Sequence, residues 1–388
     1  MLSSKTKTLY VIDGYGFIFR AFYAVPNLTA PDGTPIGAVY GFFKMLISLI
    51  NTAKPTHLVV ALDTGKRTFR NDLYDDFLEA KALKELLKVD EYKAVFDKKN
   101  ISFEDIQTTP SYDLVDLFEL DKDAVVKMCD EYNFDLKNPP KMLLILMFLG
   151  IADDIKIEEC KTQYKANRHE TPDELKVQFK IIRELIDAMG IVSESVVGYE
   201  ADDVIATISK QAVKNGLQSI VVSADKDLCQ LVKNGEVEIY DPAKKVSIDE
   251  QGVMDKFGVP AWQVKDYLSI VGDSCDNVFG VNGIGPKGAI KLLQKYGTIE
   301  NILLHLDELD AKIRQKFIDS QDVLLLAQQL VALRYDALEV QDFDKYLLQL
   351  NNDSLRAFIA KYGFKNIEQL NHNTTQKAKT EVIQKGLF

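Results

Sequence analysis

Cysteine and histidine are both scarce, with four of each in 388 residues. Cys129, Cys160, Cys229 and Cys275 lie far apart and form no CxxC pair, which speaks against a zinc cluster or a disulfide framework and fits a reducing, cytoplasmic setting. His57, His169, His305 and His372 fall in no nucleophile motif, so Ser/His/Asp and Cys/His hydrolases find no support. Long hydrophobic runs are missing as well. The longest, residues 142–152 (MLLILMFLGIA), is 11 residues, against the ~20 of a membrane span, and reads as a buried helix. The first apolar run, in MLSSKTKTLYVID, closes on an Asp too soon for a signal-peptide core. Neither a GxxxxGK[ST] loop nor a GxGxxG after a strand occurs, so nucleotide-binding readings fail. Positive charge is in deficit: 47 Lys+Arg against 58 Asp+Glu gives −11 and a pI near 5.1, which taken alone argues against a polyanionic partner. What remains, 46% hydrophobic and 27% charged, is ample for a buried core.

Along the chain, Leu9 to Ile12 ends in Asp13-Gly14, Leu58 to Leu62 (LVVAL) ends in Asp63, and Ser219 to Ser223 (SIVVS) ends in Ala224-Asp225. With Ala38 to Ile50 reading as a buried helix between the first two, the spacing predicts a parallel βαβ unit with a right-handed crossover. Residues 173–189 form an amphipathic helix, and a helix from Ala201 to Ala212 places Val204, Ile205, Ile208 and Ala212 on one face. Beyond about residue 250 the pattern turns helical and includes a Gly-rich stretch, Gly280 to Gly288 (GVNGIGPKG). These signals predict an α/β domain from residues 1–74 and 164–250, a helical domain over 251–370 and a polar tail over 371–388. Residues 75–163 stand apart, with 21 acids, 12 lysines and no arginine. They read as an inserted, mainly helical segment with a small core of its own.

The placement of acids is the chemical signal. Asp13, Asp63 and Asp225 each end an apolar strand, so a parallel sheet brings all three to its carboxyl edge, where open α/β folds bind ligands. Glu200, Asp202 and Asp203 (GYEADD) open a helix, Asp227 follows Asp225, and Asp273 and Asp276 (GDSCDN) stand three apart, on one side of a helical turn. Any one of these acids is an ordinary cap or dipole partner. Nine gathered at one edge repel one another and require cations. Hard divalent ions, Mg²⁺ or Mn²⁺, suit an all-carboxylate donor set, and so many acids suit two ions ~3.5–4 Å apart, the arrangement that clamps the attacking and leaving oxygens in phosphodiester hydrolysis.

Six ordered segments, VIDGYGFIFRAFYA, VVALDTGKRTFR, YKANR, GYEADDVIATI, VVSADKDLCQLV and VGDSCDNVFGVNGIGPKGA, resemble the motifs of the 5′ nuclease (flap endonuclease-like) family, and most nearly the 5′→3′ exonuclease domain of bacterial DNA polymerase I. The resemblance implies a PIN-like α/β domain with a helical arch, followed by a helix-three-turn-helix domain that binds duplex DNA. It makes Asp13, Asp63, Glu200, Asp202, Asp203, Asp225 and Asp227 the ligands of a tighter metal site, and Asp273 and Asp276 those completing a second. Lys165 and Arg168 become arch cations aimed at the scissile phosphate, and Tyr164 a base-stacking side chain. Arg20 and Arg70 take basic positions near the site, with Tyr23 as a further stacker. Gly283, Gly285, Lys287 and Lys291 belong to a hairpin that grips the backbone, with K⁺ on the carbonyls of Gly280 to Gly288.

The implied activity is divalent-metal-dependent removal of 5′ flaps, 5′ ends and RNA primers in replication and repair, leaving 5′ phosphates. The implied setting is a cytoplasmic, nucleoid-associated monomer acting with a DNA polymerase in cis or in trans. Rival readings are a PIN-like ribonuclease, a non-catalytic DNA clamp, and the leading piece of a longer polymerase. The family has only a few residues where this chain carries 75–163, so the segment is either a tolerated surface insertion or one that alters threading of a 5′ end. Its net −9 also accounts for most of the acidic balance: the rest of the chain has 37 acids against 35 bases, and 28 against 35 once the nine candidate ligands are set aside. That surplus is compatible with binding a phosphate backbone.

Overall fold

A computed structural model describes residues 7–25, 28–160, 164–168 and 170–364. The expected tail over 371–388, His169 and His372 lie outside the described residues. One six-stranded sheet organises the molecule, in the order β3 (Val192–Glu194), β2 (His57–Ala61), β1 (Thr8–Asp13), β4 (Gln218–Val222), β5 (Val237–Asp241) and β6 (Val246–Ile248). All neighbours pair in parallel except β5 and β6. Every residue of β2 is buried, as expected of a central parallel strand covered on both faces.

Because side chains alternate along a strand, Val59 and Ala61 enter one core while Leu58 and Val60 enter the other. The second of these cores is closed by α1 (Gly14–Ala24) and α2 (Gly37–Ala53). Helix α2 has no side-chain cap of its own. Gln178 Oε1 fills that role, accepting from the amides of Ala38 (2.8 Å) and Val39 (3.3 Å).

Helix α3 (Phe69–Leu86) departs from the expected domain boundary. It runs straight through residue 74, with Leu73, Tyr74, Phe77 and Leu78 packing on the core of the sheet and Leu83 and Leu86 on a third, separate cluster. That cluster is built by α4 (Asp90–Lys99), α5 (Phe103–Thr108), α6 (Ser111–Leu117), α7 (Lys122–Tyr132), α8 (Lys141–Leu149) and α9 (Asp154–Glu159). Within the apolar run at 142–152, residues 142–149 lie in α8, which ends with Gly150 as its C-cap, with Leu143 to Leu146 buried, and Phe118 stacks on Phe148 at 4.6 Å.

After α10 (Asp173–Ala188) and α11 (Ala201–Lys214), the helices of the C-terminal half follow: α12 (Glu250–Phe257), α13 (Val264–Val271), α14 (Pro286–Tyr296), α15 (Ile299–Leu304), α16 (Ala311–Asp319) and α17 (Gln321–Val331). They carry no core of their own. Val264, Leu268, Leu293, Phe317 and Leu324 belong to the same cluster as Val11, Val59 and Val221 of the sheet. The last helix, α18 (Asn352–Tyr362), crosses to the opposite face, where Leu355 and Phe358 join the core of α1, α2 and α10.

The separate third core predicts a local failure. Phe118→Ala removes a buried aromatic worth about 3–5 kcal/mol. Hydrogen exchange should then show lost amide protection across α4–α8 with β1, β2 and β4 unchanged, whereas protection lost evenly across the sheet would show that the core is not separate.

Candidate active site

The strand ends converge as the alternation of elements requires. Asp13 closes β1 and caps α1, its Oδ1 accepting from the Gly16 amide (3.0 Å) and its Oδ2 from the Ser223 hydroxyl (2.7 Å) beyond β4. Asp63, two residues past β2, accepts from the Ala201 amide at the start of α11 (2.7 Å). Asp202 follows on α11 with no hydrogen bond to its carboxylate among the described residues, and Asp225 accepts from the Asp227 amide (2.9 Å).

Burial is the largest influence holding Asp13, Asp63 and Asp202 above the usual carboxylate range, and neighbouring acids add to it: Asp225 and Asp63 act on Asp13, Glu200 on Asp63, and Asp225, Asp13 and Glu200 on Asp202. The proton affinity of Asp13, Asp63 and Asp202 is raised because they share one small volume with other acids.

A second group lies beside the first. Ligand atoms of Asp227, Asp273 and Asp276 all lie within 4.8 Å of one another. Burial, then Asp225 and Asp273, pushes Asp227 up to about 8, and its Oδ1 is buried without a hydrogen-bond partner. Asp227 thus groups with Asp273 and Asp276, while the hydrogen bond from its amide to Asp225 Oδ1 (2.9 Å) ties it to the inner acids. Between the groups, Glu200 accepts from Lys165 Nζ (2.8 Å). Val278, Leu330, Val331 and Leu333 wall the cavity on its apolar side. An orphaned buried carboxylate oxygen and a donor set of carboxylates alone fit hard divalent cations.

Three expected site residues take other positions. Asp203 is fully buried, and all four of its acceptor positions are filled: Oδ1 by Arg70 Nη2 (2.8 Å) and the Arg334 amide (2.8 Å), Oδ2 by Arg70 Nη1 (2.6 Å) and the Glu200 amide (3.1 Å). It has nothing left for a metal. Arg70, 2% exposed, also donates to the carbonyls of Leu330 (2.7 Å) and Ala332 (2.7 Å), so it is a buried strut rather than a DNA contact. Tyr164 is 5% exposed and packs on Tyr74 with ring centres 6.0 Å apart, which leaves no face open to a base.

The YKANR segment is a turn with Lys165 at positive φ, not part of an arch helix. Its amide donates to the Asp276 carbonyl (3.1 Å), and Arg168 Nε donates to Asp276 Oδ1 (2.8 Å). Tyr23, 71% exposed, has an open ring, and Arg20 keeps a buried Nη1 without a partner. Gly285 caps α14, with Lys287 and Lys291 exposed on its first turns, while the Gly283 carbonyl, at positive φ, accepts from Lys316 Nζ (2.8 Å). Sequence reasoning missed Ser223 and Lys226. Both stand inside the VVSADKD segment, and Lys226 Nζ reaches Asp273 Oδ2 at 2.9 Å.

The fold and the site together define an α/β protein whose sheet edge is a carboxylate-lined cavity suited to divalent ions. Residues 8–102 and 125–258 match the 5′-3′ exonuclease N-terminal resolvase-like domain, and 259–353 match the 5′-3′ exonuclease C-terminal SAM fold. The chain is 30% identical over 330 residues to a 5′-3′ exonuclease of Aquifex aeolicus, covering 85% of this chain and 83% of that protein. It is 33% identical over 357 residues to DNA polymerase I of Rhizobium leguminosarum, covering 90% of this chain but only 26% of the polymerase. The fold is shared with a bacteriophage T5 flap endonuclease solved with DNA and metal ions (TM-score 0.50, 16% identity, 92% of this chain and 100% of that one). The chain belongs to the 5′-3′ exonuclease family. It spans about a quarter to a third of the DNA polymerase I relatives it matches.

Removing one partner of a buried, fully bonded ion pair is costly, so Arg70→Met should destabilise the fold by roughly 3–5 kcal/mol. In thermal melts Arg70→Lys, lacking the two-pronged donor, should restore little. A separate test uses the proton balance. Acids whose affinity for protons is higher in the folded than in the unfolded chain stabilise at low pH, and that contribution is lost as pH rises from ~4 through the folded values, about 8 for Asp227. Divalent ions compete with those protons. The rise in Tm on adding Mn²⁺ should therefore be larger at pH 8 than at pH 6, and an equal rise at both would contradict the shared-volume account.

Proposed function

We propose that this chain is a divalent-metal-dependent, structure-specific nuclease that hydrolyses phosphodiester bonds at 5′ flaps, 5′ ends and RNA primers of duplex DNA and leaves 5′ phosphates. The observation that carries the reading is the pair of adjacent carboxylate groups at the sheet edge, one of them centred on the orphaned Oδ1 of Asp227.

Asp13, Asp63, Asp202 and Asp225 would hold one Mg²⁺ or Mn²⁺, and Asp227, Asp273 and Asp276 the other, with Glu200 between them. When bound, such ions supply a water of lowered pKa and neutralise charge on the phosphate. The chain itself supplies orientation. Ser223 and the Gly16 amide fix the Asp13 carboxylate, and the Ala201 amide fixes Asp63. Arg70 locks Asp203, which in turn holds the Glu200 amide at the start of α11.

Lys165 and Arg168, next to the outer acids, place positive charge where the phosphate would lie, and such placed charge stabilises the more anionic transition state. Exposed Lys287 and Lys291 beside the N-terminus of α14 suit backbone phosphates of a duplex, a contact without sequence preference. A K⁺ on the same hairpin would share the Gly283 carbonyl with Lys316. The setting that fits is a monomer in the nucleoid-bearing cytoplasm, acting with a DNA polymerase in cis or in trans. Among the described residues no helix is long and apolar enough to cross a membrane.

A labelled 5′-flap duplex incubated with Mg²⁺ or Mn²⁺ gives the test. The wild-type chain should release the flap as 5′-phosphorylated product, and Asp13→Ala or Asp202→Asn should slow release at least about a hundredfold. No cleavage by the wild type with either ion would favour a DNA-binding clamp instead.

A further inference from the structure

The outer carboxylates arrive with cations of their own. Lys226 Nζ lies 2.9 Å from Asp273 Oδ2, Arg168 Nε donates to Asp276 Oδ1 at 2.8 Å, and Lys165 Nζ lies 3.7 Å from Asp276 Oδ2 while bonded to Glu200. The donors come from two places, the 164–168 turn and the loop after β4, and both reach the loop that follows α13. Lys226 stands between Asp225 and Asp227 in sequence, yet its amine goes across the cavity to Asp273. Meanwhile Asp227 Oδ1, beside that contact, is buried with no partner. Lys226 and Arg168 are both partly exposed, so each can swing away without unpacking the core.

We propose that Lys226 and Arg168 are exchangeable counterions of the Asp227/Asp273/Asp276 group. A divalent ion takes the carboxylate oxygens from them, and a DNA phosphate takes the released cations, so ion and phosphate bind cooperatively at this site. This rests on the divalent-ion reading above and adds how the second ion enters. The physical basis is competition: one doubly charged ion and two singly charged side chains claim the same oxygens, and phosphate offers those side chains equivalent acceptors. Coupling between two ligands is reciprocal, so DNA must tighten ion binding by the factor that the ion tightens DNA binding.

The test is Mn²⁺ titration of the full chain by calorimetry, alone and with a nicked duplex whose linkages on the 5′ side of the nick are hydrolysis-resistant phosphorothioates, so that the charged backbone is kept and the DNA is not consumed. Without DNA, Lys226→Gln and Arg168→Gln should each bind the second Mn²⁺ at least about threefold more tightly than wild type. DNA should tighten that ion in the wild type and do so less in both variants, while Lys226→Arg, which keeps the charge, should behave as wild type. Equal or weaker Mn²⁺ binding in both glutamine variants would show that the cations only brace the loop, and would overturn the exchange alone. Absence of a second Mn²⁺ from the wild type and every variant would overturn the two-ion reading together with it.

Discussion

Repulsion among carboxylates at the sheet edge is the constraint around which the molecule is arranged. Folding brings Asp13, Asp63, Asp202 and Asp225 into one small volume and Asp227, Asp273 and Asp276 into the next. Left bare, such an arrangement opposes folding, because burial and like charge both disfavour ionised acids. Two devices offset it. Backbone amides at helix starts and the Ser223 hydroxyl bond the inner acids. Lys165, Arg168 and Lys226 lie against the outer ones. Asp202 and Asp227 are left with a raised affinity for protons, for which divalent ions compete.

The Arg70–Asp203 pair shows how the same chemistry serves architecture. A fully bonded carboxylate cannot ligate, yet its position fixes the start of α11, from which Glu200 and Asp202 project. Arg70 sits in the first turn of α3 and draws in the carbonyls at the end of α17. Later turns of α3 root the acidic 75–163 segment, and Lys84 reaches Asp322 of α17 at 3.6 Å. One helix therefore joins the strut beneath the active site to the 75–163 segment, which was expected to be an insertion foreign to the family but of which residues 75–102 and 125–163 fall within the matched exonuclease domain. A change in the orientation of that segment would be felt first at α3.

Much of this was legible in the sequence, because it depends on local rules. Strand-ending acids are visible as apolar runs closed by Asp, and parallel pairing then places Asp13, Asp63 and Asp225 at one edge. The helices over 173–188 and 201–214 follow from periodicity, and the burial of Leu143 to Leu146 from an unbroken apolar run. What was not legible depends on contacts distant in sequence. Nothing in GYEADD tells Asp202, whose carboxylate is open, from Asp203, whose acceptors are filled by residues 133 and 131 positions away. Tyr164 was expected to stack a base because the YKANR segment resembles the family's motif, but Tyr74 offers it an aromatic wall. The boundary at residue 74 was drawn on composition, and a continuous helix with two differently partnered halves has no compositional mark.

Anomalous diffraction from crystals soaked in MnCl₂ tests the central claim most directly, since it locates ions without relying on turnover. The account predicts two manganese peaks, one bounded by Asp13, Asp63, Asp202 and Asp225 and one by Asp227, Asp273 and Asp276, with none on Asp203. Peaks confined to other surfaces, or manganese ligated by Asp203 with Arg70 displaced, would contradict it.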